Sequence, residues 1–479
     1  MFNIVKTIQK ETKRHLKRIA VIDENTTLTY AELFKKIDAI AARLKKLGVA
    51  RFDRVALLCR DSADYIAVSL AVLKLKGVIV PVPFGSTSDE VNSLLGEIKV
   101  NYLAFEQGSY PKACSCQIAQ NICIHKFAVK NNQIPKGFYK INPAFIRFSS
   151  GTTGANKGVV LSHRSIIQRT QAANRGLKIM PGEQILWVLS MSFHFVVTIL
   201  LFLRRGATII ISNQNFPQSL LQNLTRQQAT FIYASPLHYH LLASLNVPQS
   251  ALAKIRMAVS TAVKLPGQIA EKFKQKFGFE LTECYGIIEL GLPFTNTSAN
   301  SQKRGSVGKI LPGYKLKILN PDQEGVGEIL IKGKGIFDAY FSPWQPSSKL
   351  MPGGWFNTGD LGRLDPEGYL FILGRRKQMI NFNGMKVFPF EVESLLNTHP
   401  AVKESQVYGK PHPEYGQLVA AKIVLKNTGA PADPQALKEF CYQHLASYKA
   451  PKEFEFVESL PKTASGKTKI SGDTTLNSG

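Results

Sequence analysis

Between Arg147 and Val160 the chain reads RFSSGTTGANKGVV, setting the hydroxyls of Ser149, Ser150, Thr152 and Thr153 around Gly151 and Gly154, with Lys157 close behind. Backbone N–H groups, hydroxyls and one ammonium on a glycine turn can surround an anion such as polyphosphate. A Walker loop would need Gly-x-x-x-x-Gly-Lys-[Ser/Thr] running from a strand into a helix. Here the glycine spacing differs, and AFIRFSS before the loop and GVVLS after it both read as strands. The expectation is a hairpin that holds phosphate without Walker geometry, with a plain surface turn as the alternative.

Other segments supply what nucleotide chemistry would use. ECYGIIELG ends an apolar stretch with Glu289, a carboxylate able to hold Mg²⁺ near phosphates. In FNTGDLGRLDPEGYLFILGRRKQ, Asp360 is an acceptor suited to a ribose diol, and Arg375 is a planar donor after a glycine turn. LPKTASGKTKI sets Lys467 on a Gly/Ser loop at the edge of a separate domain. Taken singly, an Asp in a turn or a Lys in a loop is ordinary solvated surface.

Positioning these groups requires a scaffold, and the pattern around them describes one. TYAELFKKIDAIAARLKKLG is an amphipathic helix closed by Gly48, RVALLC a short apolar strand, DYIAVSLAVLKLKG a second helix, and VIVPVPF a second strand. Strands separated by helices of this length imply a wound parallel sheet. The alternation returns as helix 163–179, strand 185–190, a helix near 196–205, strand 207–212, helix 217–227 and strand 230–233. From about residue 305, short strands such as GEILIKG and GYLFILG between Gly and Pro turns predict a small β-rich subdomain. The last hundred residues carry their own β/α alternation. The fold class is thus α/β, with a large N-terminal domain over 1–373 and a small, mobile C-terminal domain over 374–479.

Charge narrows the partners. Lys and Arg number 60 against 34 Asp and Glu, a net of +26, of which only +4 lies beyond residue 373. Such a surplus favours nucleotides, acidic proteins or anionic lipid. No aromatic-rich RNA signature, zinc-finger spacing or basic tail accompanies it, so nucleic-acid binding is not expected. MFNIVKTIQKETKRHLKRIA lacks the continuous apolar core of a secretory signal, and VVTILLFL at 196–203 is far shorter than the about 18–20 residues a membrane span needs. The N-terminal segment is expected to pack on its own domain as a helix, with peripheral membrane contact the alternative. CSCQIAQNICIH offers Cys114, Cys116, Cys123 and His125 to a metal, but reduced thiols in a cytosolic protein are the expectation.

The order and wording of SSGTTGANKG, YGIIE, FNTGDLGRLDPEGYLFILGRRK and LPKTASGK resemble the adenylate-forming superfamily of acyl-CoA synthetases, non-ribosomal adenylation domains and luciferases. TLTYAEL, STAVKLPG, RGSVGKILPG and GEILIKG match its intervening landmarks, so the resemblance spans nearly the whole chain. It implies two steps. A carboxylate attacks the α-phosphate of Mg·ATP to give an acyl-adenylate and pyrophosphate; a thiol of coenzyme A or of a carrier protein's phosphopantetheine then takes the acyl group. Carried over by position, Ser150, Gly151, Thr152, Thr153, Gly154 and Lys157 hold the nucleotide, with Thr152, Thr153 and Lys157 on the β/γ-phosphates. Thr261, Ala262, Tyr285 and Gly286 complete the nucleotide site, Glu289 places Mg²⁺, and Asp360 and Arg375 bind the ribose. Lys467 bridges substrate carboxylate and phosphate oxygens, joining Lys157 and Glu289 as a catalytic residue. Lys377 is the implied hinge and Gly384 lines the thiol tunnel.

The acid pocket is assigned to His194, Gly286, Ile287, Ile288 and Gly291, with Leu290 and Thr261 nearby. Amino-acid adenylation domains place an Asp where SMSFHFVV has His194, so an α-ammonium would arrive unpaired, at a cost of about several kcal/mol. A plain fatty or aryl acid is expected, and GRRKQMINFNGMKVFPFEVE resembles the fatty-acid branch, including Asn381 where other branches often carry Lys. Two positions depart from the family: Ile288 replaces the usual Thr, a loss of about 1.5–3 kcal/mol for one hydrogen bond to a charged group, and Asn156 replaces a common Pro. The leading reading is an acyl- or aryl-CoA ligase. The alternatives are a ligase that loads an acidic carrier protein and a catalytically silent basic binding module.

Overall fold

The β/α alternation closes into wound sheets in a computed structural model that describes residues 2–24, 26–129, 134–149, 157–212, 216–298, 300–426 and 433–461. Its helices begin where the sequence supplies caps. Thr29 accepts from the Glu32 N–H and Glu32 answers to the Thr29 N–H, a capping box that starts Tyr30–Lys46. Gly48 at φ +89° follows that helix's end. The chain forms two compact units, Met1–Lys315 with Ile331–Phe356, and Leu316–Leu330 with Asn357–Gly479.

The first unit carries two nine-stranded sheets. One runs in the order Gln345–Pro346, Ala339–Tyr340, Lys157–Ser162, Pro143–Ser149, Val78–Pro81, Arg54–Leu58, Tyr102–Glu106, Ile122–Lys126 and Cys116–Gln117. The other runs Lys309–Ile310, Gly291–Asn296, Thr282–Ile287, Met257–Ser260, Phe231–Ala234, Gln184–Trp187, Thr208–Ile211, Ile19–Asp23 and Thr26–Thr29. Their central pairs are parallel, and the strands there are apolar on both faces because helices cover both. Ile146, Val160 and Phe341 share one core, and Ile232, Ala258 and Phe273 another.

A four-stranded sheet, most of it in the second unit, runs Tyr314–Leu319, Gly327–Gly333, Phe356–Leu364 and Leu370–Arg375, the expected β-rich subdomain. A five-stranded sheet follows, in which Gly416–Leu425 pairs with Val402–His412, Ile380–Phe382 and Glu453–Phe456. Helices Pro389–Leu396 and Pro434–His444 bury Val392, Leu396, Leu437 and Cys441 in its core.

The N-terminal helix Ile4–Glu11 buries Ile4, Val5 and Ile8 within its own unit, as expected. Among the described residues no helix is long and apolar enough to cross a membrane. Two expectations change. The helix near 196–205 is broken: Met191–His194 gives way to a π turn, Phe195–Ile199, before Leu200–Arg204. The Thr198 hydroxyl bonds back to the His194 carbonyl at 2.6 Å, consistent with a locally widened helix. The thiols of Cys114 and Cys123 are not reduced but joined in a disulfide, because the hairpin pairing of Cys116–Gln117 with Ile122–Lys126 draws their Cα atoms to 5.3 Å. Cys116 stays a free thiol.

Candidate active site

The strand Pro143–Ser149 leaves the sheet and Lys157–Ser162 returns antiparallel to it, with Ser149 opposite Lys157. Lys157 opens the strand Lys157–Ser162, and the helix after it begins only at His163, so the Lys is not at a helix start and the Walker arrangement is excluded. Ser150, Gly151, Thr152, Thr153, Gly154 and Asn156 lie outside the described residues. Lys157 is half-buried, and its ammonium stands 5.1 Å from the centroid of the Tyr340 ring, on the strand antiparallel to its own. The hydroxyl of the same Tyr340 donates to Glu289 Oε1 at 3.2 Å. Burial and the neighbouring Glu289 charge both hold that hydroxyl protonated by raising its pKa. One aromatic side chain therefore links the phosphate-assigned cation to the metal-assigned carboxylate.

Glu289 sits in a reversal between Thr282–Ile287 and Gly291–Asn296, where Ile287 pairs with Gly291. Gly286 is required here: a Cβ would stand 2.2 Å from the Gly291 carbonyl oxygen. The reversal is clamped by Arg169, a fully buried arginine on helix His163–Leu177. Its Nη1 donates to the Ile288 carbonyl at 2.8 Å, its Nη2 to the Glu289 carbonyl at 3.4 Å, and its Nε to the Gly335 carbonyl at 3.0 Å. The Phe337 N–H also donates to the Glu289 carbonyl, at 2.7 Å. Burial pulls the Arg169 pKa down to about 10, still leaving it charged near neutrality. The Ile288 side chain is buried and its carbonyl accepts from Arg169 Nη1.

Of the residues assigned to the acid pocket, His194 packs on an aromatic wall. His194 lies edge-on to Trp187 and Tyr233, at 6.0 and 6.2 Å between ring centroids, and Trp187 and Tyr233 stack at 5.7 Å. Tyr233 hydrogen-bonds the side chain of buried Thr261, whose N–H donates to the Ala234 carbonyl at 3.0 Å. Ala262, exposed at φ +74°, turns the chain out of the sheet there. Tyr285 packs on Phe294, with Ile287 half-buried and Leu290 fully buried beyond it. Arg147 reaches from the loop-bearing strand to the helix of His194: its Nη1 donates to the Phe193 carbonyl and its guanidinium carbon lies 5.6 Å from the Phe193 ring centroid. Burial pulls its pKa down to about 10, with the Glu289 charge pulling the other way.

In the second unit Asp360 and Arg375 are paired across neighbouring strands, with Arg375 Nε 2.8 Å from Asp360 Oδ1. Arg375 Nη1 also donates to the Thr358 carbonyl at 2.9 Å, and the Thr358 hydroxyl accepts from the Asp360 N–H at 3.0 Å. Lys377 is exposed on a single turn, Arg376–Gln378, directly after that sheet. Asn383 and Gly384, both at positive φ, form the tip of the Ile380–Phe382/Met385–Val387 hairpin. Lys467 lies outside the described residues.

Sequence reasoning passed over Arg147, Arg169 and Tyr340. Two carried a signal: Arg147 interrupts the apolar strand AFIRFSS, and Arg169 interrupts the buried face of its helix. Charges at inward positions of core elements require partners, and partners of that kind cluster at sites.

Comparisons with known proteins identify the family. A family model described as AMP-binding enzyme matches residues 8–341, and one described as AMP-binding enzyme C-terminal domain matches 391–467. A putative acyl–CoA ligase of Bacillus subtilis is 28% identical over 477 residues, covering 94% of each chain. The 2-succinylbenzoate–CoA ligase of Bacillus subtilis is 29% identical over 466 residues, covering 94% of this chain and 93% of its own. The structure of O-succinylbenzoate coenzyme A synthetase from Bacillus subtilis in complex with AMP superposes with a TM-score of 0.83 at 25% identity, covering 100% of this chain and 98% of that one. The chain belongs to the AMP-binding enzymes, on their acyl- and aryl-CoA ligase branch, and activates a carboxylic acid with ATP before passing it to a thiol.

Proposed function

We propose that the acid is a fatty or aryl carboxylic acid without an α-amino group and that coenzyme A is the thiol. The observation that carries the choice of acid is the His194 wall: where a carboxylate would hold an α-ammonium, an imidazole packs against Trp187 and Tyr233. An ammonium brought there would be desolvated without a counter-charge.

Lys157, with the loop residues Thr152 and Thr153, steadies the β/γ-phosphates as pyrophosphate leaves, a task of cation placement. Asp360 and Arg375 receive the ribose. Lys467 brings positive charge to the attacking carboxylate and departs when the smaller domain, 374–479, turns about Lys377. Gly384 then lines the path of the thiol. Glu289 suits Mg²⁺: it is a half-buried hard-oxygen ligand, and among the described residues its Oε2 accepts no hydrogen bond. Bound there, Mg²⁺ would supply charge neutralisation at the phosphates.

Pyrophosphate release with short to long fatty acids, benzoates, cinnamates and α-amino acids tests the reading. Release with plain acids and none with amino acids is the expected result; amino-acid-dependent release would overturn it. Mass spectrometry with coenzyme A against a holo-carrier protein tests the acceptor. Lys467→Ala should suppress adenylation far more than thiol transfer from supplied adenylate, and equal loss in both would remove its assigned role.

A further inference from the structure

We propose that Arg147 receives a second carboxylate carried by the acid, so that the preferred substrate is a dicarboxylic acid; this rests on the acid-activation reading above. On the strand Pro143–Ser149, Ile146 faces the core with Val160 and Phe341, so Arg147 projects from the opposite face. That face holds Phe193, the neighbour of pocket residue His194, and feels the charge of Glu289. Arg147 thus stands between the acid wall and the residues assigned to phosphate and metal.

Its hydrogen bonding is incomplete. One Nη donates to the Phe193 carbonyl, while Nε is closed to solvent and, among the described residues, has no hydrogen-bond partner. Among the described residues no carboxylate forms an ion pair with it. Arg169, close enough for the two like charges to repel, spends its own donors on three backbone carbonyls and needs no further anion. Two guanidiniums thus stand near Glu289, one with its donors satisfied and one with an unpartnered Nε.

An apolar tail lying there would leave the Arg147 cation desolvated and unpaired. A second carboxylate would offer the planar acceptor pair that a guanidinium fork fits. The Phe193 ring beneath the guanidinium and the carbonyl holding one Nη keep the remaining donors in a fixed orientation.

The test uses the full chain with ATP and Mg²⁺, and measures pyrophosphate release for matched pairs: butyrate and succinate, hexanoate and adipate, benzoate and terephthalate. Wild-type kcat/KM should favour the diacid in at least one pair, by about tenfold or more. Arg147→Met should lower that diacid-to-monoacid ratio by about 100-fold, and Arg147→Lys should restore part of it. A wild-type preference for the monoacid in all three pairs overturns the proposal without needing any variant to fold. Equal losses on both members of a pair in Arg147→Met also overturn it, and assign Arg147 to the phosphates or the reacting carboxylate. Pyrophosphate release with monoacids alone leaves the acid-activation reading standing, whereas none with any acid removes both.

Discussion

The Tyr340 hydroxyl donates to Glu289 at 3.2 Å while its ring faces the Lys157 ammonium at 5.1 Å, so a single side chain sets the spacing between cation and carboxylate. Tyr340→Phe keeps the ring and removes the hydrogen bond. Acid-dependent pyrophosphate release should fall about 3- to 10-fold, the worth of one net hydrogen bond. Tyr340→Ala, which also removes the ring, should fall further. Equal rates for the wild type and both variants would show that this link has no part in adenylation.

Arg169 donates to the carbonyls of Ile288, Glu289 and Gly335 from a fully buried position. Arg169→Met should deprive the Ile288 and Gly335 carbonyls of their side-chain donor and destabilise the first unit by about 3 kcal/mol, read from the denaturant midpoint. Activity should fall as well, because the backbone of Glu289 loses its clamp.

Asp360 is nearly buried and faces Arg375 across the strand pair. Asp360→Asn keeps the size but weakens both the pair and the acceptor offered to a ribose. The KM for ATP should rise about tenfold while the KM for the acid changes much less. Equal rises in both would argue against a nucleotide role.

Burial raises the carboxyl of Glu283 from 4.5 to about 7, outweighing donation from the Gly305 and Leu265 N–H groups and the attraction of Lys264. The folded chain thus keeps this proton at pH values where the unfolded chain has released it. The resulting stability is complete below about pH 4.5 and is lost as pH rises through about 7. Between those limits the wild type should lose up to about 3 kcal/mol relative to Glu283→Gln, measured as unfolding midpoints across pH. Parallel curves for the two proteins would contradict this.

Much of the molecule was legible from local pattern. The helix closed by Gly48, the antiparallel strands Pro143–Ser149 and Lys157–Ser162 and the short strands after residue 305 are written in propensity and spacing, and they appear where expected. The failures have physical causes. The π turn at Phe195–Ile199, where the Thr198 hydroxyl bonds the His194 carbonyl, leaves the apolar periodicity unchanged, so the pattern does not register it. The Cys114–Cys123 bond depends on a hairpin register that spacing does not reveal, so the sequence pointed to reduced thiols or a metal instead.

By itself the sequence determined the family, the wound α/β scaffold and four ordered motifs, because these rest on residues adjacent in the chain. Tertiary structure alone decided that Tyr340 joins Lys157 to Glu289, that Arg169 grips a turn more than a hundred residues away, and that Arg147 meets Phe193. Such contacts follow from how sheets and helices pack within the unit. A linear pattern tells which residues face inward, but only packing brings an inward-facing charge to its partner.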